Sequence, residues 1–89
     1  MQNDNVYLES LNKAYLQNRK DFEAMISRHY ELLGHLNFEL SVGPLKTKRK
    51  NSLNETLAYV IIAIEHDKSE LAKINSNIER VNLRIANCH

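Results

Sequence analysis

Hydrophobic residues recur along this chain on a seven-residue grid, where residues seven apart form one column. Between residues 8 and 36, seven of the nine positions on two such columns are apolar, and the exceptions are Asn18 and His29. This spacing predicts an amphipathic helix over about residues 5–40, either continuous or broken near Asn18 or Gly34. Three further apolar residues widen the stripe: Ile26, Leu33 and Leu40.

The second half of the chain carries the same repeat more regularly. Ten of the eleven grid positions between residues 53 and 88 are apolar, and Asp67 is the exception. A repeat sustained over this length predicts a helix over about residues 52–87 that packs along its length against other helices. Ser52 and Glu55 fit a capping box at its start. The expected core or dimer seam consists of Leu57, Ile64, Leu71, Ile74 and Ile78.

Between the two patterns the sequence predicts a turn. Gly43 suits the C-terminal cap of a helix, and Pro44 cannot continue one. A basic loop is therefore expected over about residues 41–51, long enough to include a short helical turn of its own. With Ser52 as the start of the second helix, the chain forms one all-α domain, a long helical hairpin with heptad seams.

A lone pair of helices would leave much of each apolar stripe in water. Two hairpins that dock on each other would cover these stripes, so we expect a homodimer that resembles a four-helix bundle. The chain has 89 residues, which is one small domain, and small domains often gain extra core by oligomerising. The orientation of the two copies stays open at this point.

Composition narrows the setting. Two glycines and one proline provide little turn chemistry for a sheet protein. A single cysteine, Cys88, cannot form an internal disulfide, which favours a reducing cytoplasm. The N-terminal residues do not have the pattern of a secretory signal, and the longest apolar run, Leu57 to Ile64, is too short to cross a bilayer. We therefore expect a cytoplasmic protein without a membrane segment.

Positive charge is concentrated in one place. The net charge is only +1, but Lys46, Lys48, Arg49 and Lys50 lie within five residues. These cations either contact the phosphates of a nucleic acid or form a solvated corner that keeps the protein soluble. They precede a helix N-terminus, where the helix dipole favours acids, and this mismatch favours a role in binding. No aromatic residues are interleaved, so sequence-specific readout has little support.

Two polar residues interrupt the seams at matching heights. If the chain folds back on itself, His29 and Asp67 come within about one helical turn of each other. A buried imidazole–carboxylate pair of this kind is a candidate pH-sensitive element. The alternative is that the two residues only fix the register of the helices or face a solvated gap.

Metal and catalytic chemistry have little support in the sequence. Glu31, His35 and Glu39 share a helix face, as do His66 and Glu70, but exposed helices commonly carry such spacings. No CxxC, HxxxH or HExxH motif occurs, so no metal site and no cofactor are expected. A glycine-rich phosphate loop and a nucleophile with a marked base are also missing, so we do not expect an enzyme.

The order of several residues resembles a known family. A Leu-Gly pair is followed by a stretch that ends in glycine and then by an amphipathic helix led by lysine, and the residues concerned are Leu33, Gly34, Leu40, Gly43, Lys50, Leu53, Leu57, Ile64, Glu65 and Asp67. Over about residues 30–70 this order resembles the YmgB/AriR family of small enterobacterial regulators of biofilm formation and acid resistance. The resemblance implies a small helical dimer that links stress signalling to transcription by binding a regulatory protein or DNA.

Two functions are therefore carried forward. The first is a non-enzymatic regulatory connector that acts as a helical dimer through protein contacts, with DNA contact through the basic loop as an addition. The alternative is a helical-hairpin chaperone, or a structural coiled-coil subunit of a larger assembly such as a secretion system. The two differ in the behaviour of the isolated chain, because a chaperone of this kind would need a partner to complete its apolar stripe.

Overall fold

A computed structural model describes residues 2–87, with the side chains of residues 5–87. Its two helices, α1 (Gln2–Ser41) and α2 (Thr47–Asn87), lie side by side and run in opposite directions. The Cα atoms fill a rod of 66 × 14 × 14 Å. The predicted all-α helical hairpin is therefore confirmed.

Helix α1 is continuous. Neither Asn18 nor Gly34 interrupts it, so the unbroken alternative is the correct one. The helix ends where the sequence predicted, because Val42 N–H still donates to the Phe38 carbonyl (3.2 Å) and Gly43 and Pro44 then leave the helix. The Ser41 hydroxyl donates to the same carbonyl at 2.7 Å, so this carbonyl at the helix end accepts two hydrogen bonds.

Helix α2 begins five residues earlier than expected. The predicted start at Ser52 and the predicted loop over residues 41–51 are wrong, because Thr47 already opens the helix and only residues 42–46 connect the two helices. The capping box is wrong as well, since Ser52 lies inside the helix and its carbonyl accepts a hydrogen bond from the Thr56 hydroxyl at 3.0 Å. The five residues from Thr47 to Asn51 contain no helix breaker, and Leu45 is held in the core just before them.

The seam of α2 follows the predicted grid. Leu57 and Leu71 are half-buried, whereas Ile64, Ile74 and Ile78 are buried against α1. Both columns of the α2 repeat face α1 along the whole helix. Only the last grid position, Cys88, lies outside the described residues.

On α1 one of the two predicted columns is right and the other is wrong. The column from Leu8 to Leu36 faces α2, but Met25 and Leu32 in the second predicted column remain 40 and 41% exposed. The column that contains Ile26 and Leu33 packs against α2 instead. The reason is that the apolar stripe of α1 is three columns wide, whereas a single neighbouring helix covers two.

The apolar core lies at the loop end of the hairpin. Its buried residues are Leu36, Leu53, Val60 and Ile64, and its half-buried neighbours are Leu33, Leu40, Leu45 and Leu57. Towards the chain termini the seam becomes more polar, because Asn12, Arg19 and Asp67 lie among its apolar residues. The contiguous apolar cluster therefore lies next to the connection, and further buried apolar residues continue the seam in the other half of the rod: Leu8, Ile74, Ile78 and Val81.

We expect two isoleucines that are two positions apart to contribute very differently to the stability of the hairpin. Ile64 is 5% exposed and Ile62 is 62% exposed. Ile64→Ala should lower the free energy of unfolding by about 2–4 kcal/mol, because it removes buried methyl groups and leaves a cavity. The matched control Ile62→Ala should change it by less than about 0.5 kcal/mol. Urea unfolding followed by circular dichroism measures both, and equal losses would contradict this location of the core.

Candidate functional site

The basic cluster lies at the tip of the hairpin, mainly in the first turn of α2 instead of in a loop. All four of its cations are exposed, and no acidic residue accompanies them in that turn. Arg49 Nη2 donates to Glu39 Oε2 at 2.8 Å, which ties the start of α2 to the end of α1. Lys46, Lys48 and Lys50 therefore supply the positive charge at the tip, and the partial positive charge of the helix N-terminus adds to it.

An open groove of about 360 Å³ lies next to these cations. Phe38, Val42, Pro44 and Leu45 form most of its lining, and the Glu39–Arg49 pair lies at its edge. Phe38 and Val42 are both exposed. The tip therefore combines apolar surface with positive charge.

The predicted contact between His29 and Asp67 is present. His29 Nδ1 lies 2.9 Å from Asp67 Oδ2, and Asp67 is only 4% exposed. The pair bridges α1 and α2 near the middle of the seam. A buried carboxylate needs such a partner, so this hydrogen bond satisfies the one break in the apolar pattern of α2.

A second groove, which the sequence analysis missed, lies along one side of the hairpin. We call it the Tyr30 groove; it has a volume of about 200 Å³ and is lined by Tyr30, Leu33, Ile61, Ile64, Glu65 and Lys68. Lys68 Nζ lies 5.2 Å from the centroid of the Tyr30 ring, which is the geometry of a cation–π contact. The groove is thus an apolar channel with one acid and one base at its edge.

The sequence contained a signal for this groove. Every residue from Leu57 to Ile64 is apolar, so this part of α2 is apolar all the way round, whereas α1 covers only one of its faces. Tyr59, Ile61 and Ile62 consequently remain exposed. A helical segment that is apolar on every side is normally buried on every side.

The described residues contain neither a metal-binding cluster nor a membrane-spanning segment. Within residues 2–87, no three His, Cys, Asp or Glu side chains are arranged to hold a metal ion. Glu39, from one of the spacings noted above, instead pairs with Arg49. Neither helix, as far as it is described, has a segment long and apolar enough to cross a membrane.

The chain was compared with models of protein families, with curated proteins and with solved structures, and none of the three comparisons gave a match. The resemblance to the YmgB/AriR family therefore rests on the residues named above and stays a prediction. The surfaces of the hairpin itself are therefore the basis for inferring a function.

We expect His29 and Asp67 to be coupled in stability. His29→Leu alone should lower the free energy of unfolding by about 1–3 kcal/mol, because it leaves the buried carboxylate of Asp67 without its partner. The double variant His29→Leu/Asp67→Leu should recover that loss or exceed the parent, since it replaces a buried polar pair with apolar contact. Urea unfolding at neutral pH of the parent, both single variants and the double variant gives the coupling. Additive effects would contradict a direct interaction.

Proposed function

We propose that this protein is a non-enzymatic regulatory connector of the cytoplasm, which works as a helical dimer and binds a regulatory protein partner through the Tyr30 groove. The observation that carries the proposal is the uncovered apolar surface of α2 around Ile61 and Ile62. The resemblance to the YmgB/AriR regulators supports the same kind of role. No step of the proposal requires a reaction centre.

The shape of the groove favours a helix as its occupant. Tyr30 and Leu33 form one wall and Ile61 and Ile64 form the other, so the groove runs between two parallel walls along the hairpin axis. Amphipathic helices bind to such grooves with apolar residues at positions i, i+3, i+4 and i+7. Glu65 and Lys68 at the edge add one charge of each sign, which would select the orientation of the bound helix.

A second contact is proposed at the tip. Lys46, Lys48 and Lys50 are exposed and surround a helix N-terminus, an arrangement suited to the phosphates of DNA. Arg49 contributes less in this proposal, because Glu39 already neutralises it. Three neutralised phosphates would give a slope of about −2.7 in log K against log salt for each copy.

The alternative function is a chaperone or structural subunit whose apolar surface a partner completes. The exposed apolar residues of the loop-end half support it, since Phe38, Tyr59 and Ile62 lie on different faces of the rod. The isolated protein distinguishes the two functions. A monodisperse, cooperatively folding homodimer favours the connector, and an aggregating chain that a second protein rescues favours the chaperone.

We expect a photoreactive residue at Ile62 to capture a specific partner in host cells, because Ile62 is exposed and directly follows Ile61, which lines the Tyr30 groove. Leu83 is the matched control, since it lies in the same heptad column and is similarly exposed. An adduct should form from position 62, be absent from position 83 and be lost when Ile61→Glu is added. Circular dichroism confirms that the Ile61→Glu variant still folds. Equal adducts from both positions would contradict a partner site at the groove.

We also expect the tip to bind a random-sequence DNA duplex in a salt-dependent manner, measured by fluorescence anisotropy. Replacing Lys46, Lys48 and Lys50 together with alanine should abolish binding at low salt. The control variant removes three lysines elsewhere and has the same net charge: Lys13, Lys20 and Lys73. Equal loss in both variants would mean that only net charge matters, and no binding by the parent would remove DNA from the proposal.

A further inference from the structure

Helix α1 carries a second apolar stripe beside its seam. We call it the outer stripe, and its residues follow alternating three- and four-residue spacings from Tyr7 to Val42. Its large apolar members are Tyr7, Leu11, Met25, Leu32 and Val42, which directly follows α1. Five of its eleven positions are polar: Asn18, Asp21, Arg28, His35 and Glu39. Tyr7 and Val42 at the two ends are 65 and 59% exposed. The stripe lies roughly 100° around α1 from the residues that face α2, so α2 does not cover it.

The outer stripe is on the side of the hairpin opposite to the Tyr30 groove. Tyr30, Ile61 and Lys68 mark the groove side. Met25 and Leu32 flank the seam of α1 on its other edge, and they belong to the column that the heptad pattern predicts as seam but that α2 leaves exposed. In a four-helix arrangement, another helix would contact α1 along this column.

Two of the three charged residues of the stripe are placed symmetrically about its middle, and the third, Glu39, already pairs with Arg49. Asp21 and Arg28 are exposed and lie equally far from a point between residues 24 and 25. A second copy that runs antiparallel about this point would place its Arg28 opposite Asp21 and its Asp21 opposite Arg28. Among the described side chains neither residue has an ion-pair partner, and Asp21 accepts only a hydrogen bond from Gln17 at 3.0 Å.

The apolar ends of the stripe match in the same arrangement. Tyr7 and Val42 are equally far from the same midpoint, so Tyr7 of each copy would pack against Val42 of the other. The two-fold axis would pass close to Met25, which would contact Met25 of the second copy. The ends of the stripe and its Asp21–Arg28 pair are therefore complementary to themselves, as a symmetric dimer contact requires.

Helix α2 agrees with this axis. Because His29 and Asp67 are at the same height, the midpoint of the α1 stripe is level with a point between Glu70 and Lys73 on α2. These two residues bear opposite charges and lie 3.1 Å apart within one helix. The antiparallel arrangement would place each of them opposite the other residue of the second copy.

The alternative dimer has both tips at the same end. It would bring two exposed basic clusters together, with Lys46, Lys48 and Lys50 of each copy side by side, and this repulsion opposes it. The charge of the tip therefore favours the antiparallel orientation.

We infer that a second copy of this chain docks antiparallel on the outer stripe of α1, with the two basic tips at opposite ends of the dimer. The inference rests on the dimer of the proposed function and defines its geometry. It leaves the Tyr30 groove of each copy open to a partner on the other side of the hairpin.

The distance between the tips tests the orientation. A spin label on Lys48→Cys, in a Cys88→Ser background, reports the separation of the tips in the dimer by pulsed electron paramagnetic resonance. We expect a separation close to the 66 Å length of the hairpin. Helices pack about 8–10 Å apart, so a dimer with its tips together would give a distance below about 25 Å and would overturn the inference.

A charge exchange tests the contact itself. Asp21→Arg and Arg28→Asp should each raise the dimer dissociation constant about tenfold, because each places like charges opposite one another at two symmetric points. The double variant Asp21→Arg/Arg28→Asp should restore the parent value. It would not do so in a tips-together dimer that places α1 against α2, because Arg28 would then lie level with Lys68 of the second copy and Arg28→Asp would strengthen the contact. Failure of the double variant to restore the parent value would overturn the inference.

Light scattering coupled to size-exclusion chromatography measures the oligomeric state. Together with the distance between the tips, it distinguishes the absence of a dimer from a dimer with a different orientation. A protein that stays monomeric at every concentration would remove both the dimer and this inference. A dimer with neighbouring tips would remove the inference alone. Partner capture from Ile62 is measured independently of either result.

Discussion

Two helices on their own can bury only the stripe of each that faces the other, and this limit shapes the whole molecule. Among the described residues no side chain falls below 2% exposure, so even the best-packed positions lie close to the surface. Ile64 is buried because it points at α1, whereas Ile62, two residues earlier, points away and is exposed. Apolar residues outside this single seam remain exposed, and they form the candidate binding surfaces.

The residue composition of the seam changes along the rod. Next to the connection it consists of leucine, valine and isoleucine, and further along it accommodates polar side chains. The Oδ1 atoms of Asn5 and Asn12 are buried without a hydrogen-bond partner, whereas Asp67 has one in His29. Polar groups in a helical seam reduce stability but penalise other registers, because a shifted register would separate the pair. The His29–Asp67 contact therefore aligns the helices that the leucine-rich end holds together.

The proposed connector needs separate surfaces for a second copy and for a partner, and the hairpin has one candidate surface on each side. The Tyr30 groove occupies one edge of the seam, and the outer stripe of α1 occupies the other. The three lysines of the basic tip lie at the end of the rod, where Val42 belongs both to the outer stripe and to the apolar groove beside them. The Tyr30 groove shares no residue with either of these surfaces.

The sequence by itself determined the two helices, their antiparallel pairing and, within the described residues, the seam positions of α2, because a heptad repeat is a direct consequence of helix geometry. It also placed His29 within about one helical turn of Asp67. It did not determine the start of α2. The capping pattern at Ser52 predicts a start there, but the helix begins earlier, just after Leu45, which packs against the core. Only the tertiary structure decided which two of the three apolar columns of α1 are covered, and so whether Met25 faces the seam or the solvent, because that choice depends on where the second helix lies.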